Sequence, residues 1–208
     1  MKRVILVITI LIIGVVVFFV YQNKTALAPS PSASSTSSPQ ASLGQVASSI
    51  FDSSRITKKP FGIYITPQNS SVQPEKFTGY HTGVDFETTP AEANIDMAVP
   101  AFCDGKLLEK KYATGYGGVA VQSCALGGQT VTVIYGHLKL ASVIPIVGQT
   151  LKRGDLLGIL GKGYSTETDG ERKHLHLGIH IGSTINILGY VQKQPDLSGW
   201  LDPAQFLK

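Results

Sequence analysis

The sequence predicts an all-β domain, a sandwich or open barrel, preceded by one N-terminal transmembrane helix. Three observations predict this. Beyond residue 60 the apolar residues gather in short runs rich in β-branched and aromatic side chains, separated by glycine-rich turns. No segment after the N-terminal span carries a 3.6-residue apolar period. Finally, Val4 to Tyr21 form one uncharged apolar run of 18 residues behind Lys2 and Arg3.

As a helix that run would span roughly 27 Å at about 1.5 Å per residue, close to the hydrocarbon thickness of a bilayer. A cleaved signal peptide is the competing reading, but its apolar core is normally about 7–15 residues long. The one nearby small-x-small site, Ala26-Leu27-Ala28, is followed by Pro29, a poor residue after a cleavage point. Residues 1–27 are therefore read as an uncleaved signal anchor. Basic residues precede the span and only Lys24 lies close after it, which puts the C-terminal part outside the cytoplasm. A single-pass cell-membrane protein with an extracytoplasmic domain is expected, and either N-terminal reading exports that domain. Residues 28–49 are mostly Ser, Ala and Pro, cannot bury enough surface to offset their ordering entropy, and read as a flexible linker. Residues 50–208 remain for one folded domain.

Net charge +4 over 208 residues is a mild basic bias that suits an anionic wall or membrane surface and decides little. No clustered Lys/Arg stripe points to nucleic acid, and no nucleic-acid partner is expected. The two cysteines, Cys103 and Cys124, lie in the exported part, where an oxidising compartment permits a bridge; neither has the C-x-x-C or C-x-H neighbour of a zinc ligand.

Along the domain, Phe61 to Thr66 is the first strand-like run. Gly118 to Gln122 and Thr130 to Tyr135 are two more, joined through the turn Leu126-Gly127-Gly128, and His174 to Ile181 alternates as a fourth. A short C-terminal helix is expected over Pro203 to Leu207. No internal repeat is present.

The chain has five histidines, and four of them fall into a pattern that suits a metal. His81-Thr82-Gly83-Val84-Asp85 is an H-x-x-x-D pair; at even spacing along a strand-like path both side chains share a face, and Gly83 lets the backbone come close to an ion. His174 and His176 form H-x-H on one strand face, with Leu175, Leu177 and Ile179 on the opposite, buried one. His137 ends a separate apolar run from which it could reach the same groove. Imidazole nitrogen and carboxylate oxygen suit zinc, and a catalytic zinc needs three protein ligands and one open position. Singly, each motif has a bland reading: a lone histidine is commonly structural, and H-x-x-x-D recurs by chance. Their conjunction in one exported β domain favours a metal centre. His180 shares the face but extends beyond the site and reads as structural or groove-edge.

The ordered series Gly79-Tyr80-His81 through Asp85-Phe86, Tyr135-Gly136-His137-Leu138, Val147-Gly148 through Gly161, and His174-Leu175-His176-Leu177 resembles the lysostaphin/LytM-type zinc endopeptidases. The likeness runs from about residue 60 to the closing Trp200 to Leu207. It implies a compact antiparallel β fold around a groove, peptidoglycan peptide as substrate, zinc on His81, Asp85 and His176, and a catalytic role for His137 and His174. Zinc would polarise the scissile carbonyl and bring the pKa of a bound water towards about 7. One histidine would take that water's proton and the other steady the oxyanion. His174 is the expected base, although the sequence leaves the two roles interchangeable. Two stretches depart from the family pattern: Lys162 to Lys173, longer and more charged than the usual turn and expected to form one groove wall, and Gly189 to Ser198.

The functional expectation is thus a membrane-anchored, zinc-dependent endopeptidase acting on stems or cross-bridges of bacterial peptidoglycan. The alternative is a non-catalytic or partner-gated wall-binding module that activates or scaffolds other hydrolases. The complete set of five residues favours the enzyme, and a protein partner gating the groove is compatible with it. A carbohydrate-cleaving reading is weak, because Glu167, Asp169 and Glu171 fall in an expected loop without fixed geometry.

Overall fold

A computed structural model of the chain describes residues 50–207. The expected anchor over 1–27 and linker over 28–49 lie outside the described residues, among which no helix is long and apolar enough to cross a membrane.

The described part is built of strands and short 3-10 turns, as an all-β domain should be. In chain order the strands are β1 (Tyr64–Ile65), β2 (Gly79–His81), β3 (Gly83–Glu87), β4 (Ala98–Pro100), β5 (Gly105–Ala113), β6 (Gly117–Leu126), β7 (Gln129–Leu138), β8 (Thr150–Leu151), β9 (Leu156–Ile159), β10 (His174–Ile181), β11 (Tyr190–Val191) and β12 (Trp200–Leu201). The main sheet has the order β12-β10-β7-β6-β5-β8, with β3 also paired to β10; small sheets β1-β2-β11 and β4-β9 complete the fold. Every pairing is antiparallel. The architecture is one large sheet with two minor ones rather than a sandwich of two matched sheets.

The main sheet is covered on both faces, and its period-2 alternation sorts residues between them. Val131, Val133 and Tyr135 of β7, Leu175, Leu177 and Ile179 of β10, and Val84 and Phe86 of β3 enter the larger core. Val119, Val121, Ile134 and Trp200 form a smaller cluster on the opposite face. Register places His176 beside Asp85 on one side and Gly136 on the other, so the site continues the face of the smaller cluster. Tyr135 is pinned in the core: its hydroxyl donates to Gln122 Oε1 at 2.6 Å and accepts from the Phe102 amide at 2.8 Å. That fixes the strand immediately before Gly136 and His137.

Cys103 and Cys124 are joined by a disulfide, and both are buried. The run Phe61 to Thr66 yields only the two-residue β1, and the short helix expected over Pro203 to Leu207 is a 3-10 turn over Pro203–Phe206. The segment 162–173, expected to form one groove wall, is an ordered turn, although its acids Glu167, Asp169 and Glu171 are expected from the sequence in a loop without fixed geometry. Thr168 is buried in it, Glu167 accepts from the Lys162 amide, and Asp169 accepts from the Gly115 amide.

Candidate active site

Three neighbouring segments converge. His81 ends β2, Asp85 lies mid-β3, and His176 lies on β10 directly opposite Asp85. One ligand atom from each lies within 4.8 Å of the others, and all three residues are buried. His81 Nε2 is 3.0 Å from His176 Nδ1 and 3.4 Å from Asp85 Oδ1, and His176 Nδ1 is 3.1 Å from Asp85 Oδ1. Four ligand atoms arranged tetrahedrally about zinc at about 2.0–2.2 Å stand roughly 3.3–3.6 Å apart. The observed edges come within a few tenths of an ångström of that. His81 Nδ1–H donates to the Pro60 carbonyl at 3.2 Å, which leaves Nε2 with a free lone pair, the arrangement that orients a ligating imidazole. Two imidazole nitrogens and a carboxylate oxygen in this spacing fit a divalent cation of the zinc type.

Gly83 has a different reason from the one the sequence suggests. A Cβ there would meet the Leu177 carbonyl across the β3–β10 pairing and stand 2.9 Å from His176 Nε2. The glycine lets the two ligand-bearing strands close on each other.

His137 reaches the site through a bulge. Gly118 pairs with Leu138 and Val119 with Gly136, so His137 is the extra residue on β7, at a left-handed φ of 62°. Bulges re-aim side chains in this way, and a non-glycine residue in the left-handed region is a strain site. Its ring lies 4.2 Å from that of His174, centroid to centroid. His174 Nδ1–H donates to the Arg172 carbonyl at 2.9 Å, and its Nε2 lies 3.2 Å from Asp85 Oδ2. Asp85, His137, His174 and His176 line a cavity of about 480 Å³, with Tyr116 and Tyr190 as walls. His81 sits behind Tyr190, ring centroids 5.2 Å apart. His180 packs edge-on against Trp200 and is not part of the cavity.

The electrostatics follow from burial. Burial by itself would push the Asp85 carboxyl up; the surrounding imidazoles of His174, His81 and His176 outweigh this and hold it well below the usual carboxylate range. Burial pushes His137 well down, helped by His174, and pushes His176 down to about 4 against the opposing pull of Asp85. Both are therefore neutral imidazoles at pH 7. Burial also raises the Tyr116 and Tyr190 hydroxyls, which stay protonated.

Several groove residues escape sequence reasoning. Tyr116 packs its ring on His137 at 5.6 Å and on His176 at 5.3 Å, filling the space that Gly136 leaves. Lys59 forms a buried ion pair with Glu75 at 2.6 Å and donates to the Tyr190 hydroxyl at 3.0 Å, bracing that wall. Arg172 bonds Asp85 and Glu87. Only Arg172 left a signal, since 172, 174 and 176 share a parity. The two unfamiliar stretches both contribute to the cavity, through Glu171 and Arg172 and through Gly189, Tyr190 and Gln192.

A family profile for Peptidase family M23 matches residues 79–187, just over half of the 208-residue chain. The chain belongs to peptidase family M23, of the lysostaphin/LytM type. The matched span holds all five residues of the M23 pattern discussed above. Solved structures similar to this M23 chain include LytU, at 23% identity over 73% of this chain and 83% of that one, with a TM-score of 0.48. Others are cbpa from L. salivarius REN, at 22% identity over 72% and 83% with TM-score 0.45, and a putative glycyl-glycine endopeptidase lytM from Ruminococcus gnavus ATCC 29149, at 22% over 70% and 55% with TM-score 0.41. No curated protein sequence matches the chain.

Proposed function

We propose that this M23 peptidase is a zinc-dependent endopeptidase that hydrolyses peptide bonds in the stems or cross-bridges of bacterial peptidoglycan. The observation that carries the reading is the triad His81, Asp85 and His176, with ligand atoms within 4.8 Å of one another beside a cavity that two further histidines line. These three residues would hold the metal. Zinc there would supply a Lewis acid for the scissile carbonyl and an activated water at neutral pH.

The chain's own residues do the rest. His174, fixed at Nδ1 by the Arg172 carbonyl, has Nε2 as the atom that takes and returns a proton, and it is the proposed base. His137, kept neutral by burial, offers one N–H to the developing oxyanion from its bulge. Tyr116 and Tyr190 form walls that limit water and orient an extended peptide. We further propose that residues 1–27 anchor the protein in the cell membrane and residues 28–49 tether the domain on the wall side, within reach of its substrate.

Metal content by elemental analysis, paired with peptidoglycan digestion on the same sample, tests this reading. The expected result is one zinc per chain and release of new free amines, both abolished by a chelator. A metal-free protein without cleavage would overturn it and favour the non-catalytic wall-binding module.

A further inference from the structure

We propose that Arg172 is a positioning residue that withholds one oxygen of Asp85 from the metal, so that the carboxylate binds through a single oxygen and a coordination position stays open. This rests on reading the triad as a metal centre.

The two oxygens of Asp85 have separate partners. Oδ1 faces the ligand pair, 3.4 Å from His81 Nε2 and 3.1 Å from His176 Nδ1. Oδ2 accepts from Arg172 Nη2 at 2.9 Å and lies 3.2 Å from His174 Nε2. The guanidinium N–H takes up a lone pair of Oδ2 and the His174 ring crowds the same oxygen, so Oδ1 is the oxygen left facing the ligand pair.

Arg172 is itself held. Its Nε donates to both oxygens of Glu87, at 3.1 and 2.9 Å, and its Nη2 also donates to Glu87 Oε1. Arg172 is 7% exposed and Glu87 9%, so the fork lies in a buried setting where it cannot swing away. Residues 85 and 87 on β3 stand opposite His176 and His174, so the guanidinium bridges two carboxylates on one sheet face. It therefore does two things at once: it fixes which oxygen of Asp85 points at the metal, and it ties up Glu87, the nearest other carboxylate on that face. Without it, Asp85 is free to rotate into two-oxygen binding, which would fill the position a catalytic metal keeps open. A lysine could supply the charge but not the planar fork.

Cobalt(II) reports this directly, because its visible absorption is strong in four-coordinate sites and weak in five- or six-coordinate ones. The full chain is stripped of metal, loaded with cobalt, and its spectrum compared with those of Arg172→Met, Glu87→Gln and Arg172→Met/Glu87→Gln. The double variant removes the guanidinium without stranding Glu87 as a lone buried charge, and so provides a folded sample where the single variant does not. The expected result is strong absorption in the parent and in Glu87→Gln. In folded Arg172→Met variants, a several-fold fall per bound cobalt is expected, with maxima moved to shorter wavelength. A folded Arg172→Met variant with the parent's spectrum would overturn the role of Arg172 while leaving the metal centre intact. A parent chain that binds no cobalt would overturn the metal centre, and the inference with it.

Discussion

The imidazoles of His137 and His174 lie 4.2 Å apart at an interplanar angle of 40°, one on the bulge of β7 and the other at the start of β10. Burial holds His137 well below the usual imidazole range, and the nearby His174 ring adds to that lowering. That lowering suits a division of labour in which one ring moves the proton and the other stays neutral.

Removing either ring should cost rate and spare metal. His174→Ala and His137→Gly are expected to keep one zinc per chain and lose about 10²–10⁴-fold in turnover. Glycine is the better replacement at 137 because the backbone there has a left-handed φ of 62°. Elemental analysis and peptidoglycan turnover on the same preparations check this. A zinc-loaded, fully active His174→Ala protein would remove that residue from the mechanism.

His81→Ala, Asp85→Asn and His176→Ala should behave in the opposite order, losing metal first and activity as a consequence. Zinc titration against a chromophoric chelator separates the two groups. Wild-type affinity in any of the three would disqualify that residue as a ligand.

Acid should destabilise the metal-free protein before it reaches the carboxylate range. Burial lowers His176 from 6.5 to about 4, so between those values the unfolded chain binds a proton that the folded one does not. Stability present above pH 6.5 is therefore lost as pH falls toward 4, by an amount on the order of a few kcal/mol. His137, lowered in the same direction, adds to the loss. Protons compete with metal for the same nitrogens, so zinc affinity should fall over the same interval. Thermal melts in chelator at a series of pH values would show it; a melting temperature flat from neutral to pH 4.5 would contradict the buried, neutral state of these rings.

How much of this was legible in the sequence depends on the kind of signal. β6, β7 and β10 announce themselves because alternation sends Val131, Val133, Leu175 and Leu177 into one core, and β10 matches its expected span of 174–181. The two- and three-residue strands are invisible to periodicity, since β1, β8, β11 and β12 are too short to complete a pattern. The H-x-x-x-D and H-x-H pairs could be read because each lies within one local segment, whereas their meeting depends on the β3–β10 register. Tyr116 and Lys59 act through partners distant in sequence, and nothing local to either residue signals that. The turn 162–173 stands out by length and charge, but its fixed geometry could not be read, because backbone amides bonded to Glu167 and Asp169 order it and apolar spacing does not.

The close approach of β3 and β10 makes Gly83 a sensitive position. Gly83→Ala should cost about 1–3 kcal/mol and weaken zinc binding, because the added methyl pushes the Leu177 carbonyl and His176 apart from β3. Gly199→Ala, where nothing lies within 4 Å of the added carbon, is the matched control and should be close to neutral. Equal melting temperatures for the two variants would refute the packing account.

The bridge between Cys103 and Cys124 closes a loop with a sequence separation of 21. Its reduction, or the pair Cys103→Ser and Cys124→Ser, is expected to lower stability by about 2–4 kcal/mol without touching the metal site. Urea unfolding with and without reductant measures the difference, and identical curves would show that the cross-link contributes nothing.

Ile50 has 0% exposure, and Phe51 stacks edge-on against Phe86 and Phe102 at 5.7 and 5.2 Å. The first described residues are thus a plug seated in the larger core, against the strand that carries Asp85. A change at Phe51 would therefore be felt at Phe86 of β3, next to Asp85, rather than at an exposed loop. Trimming the chain past Phe51 would open a hole beneath the strand that holds a candidate ligand.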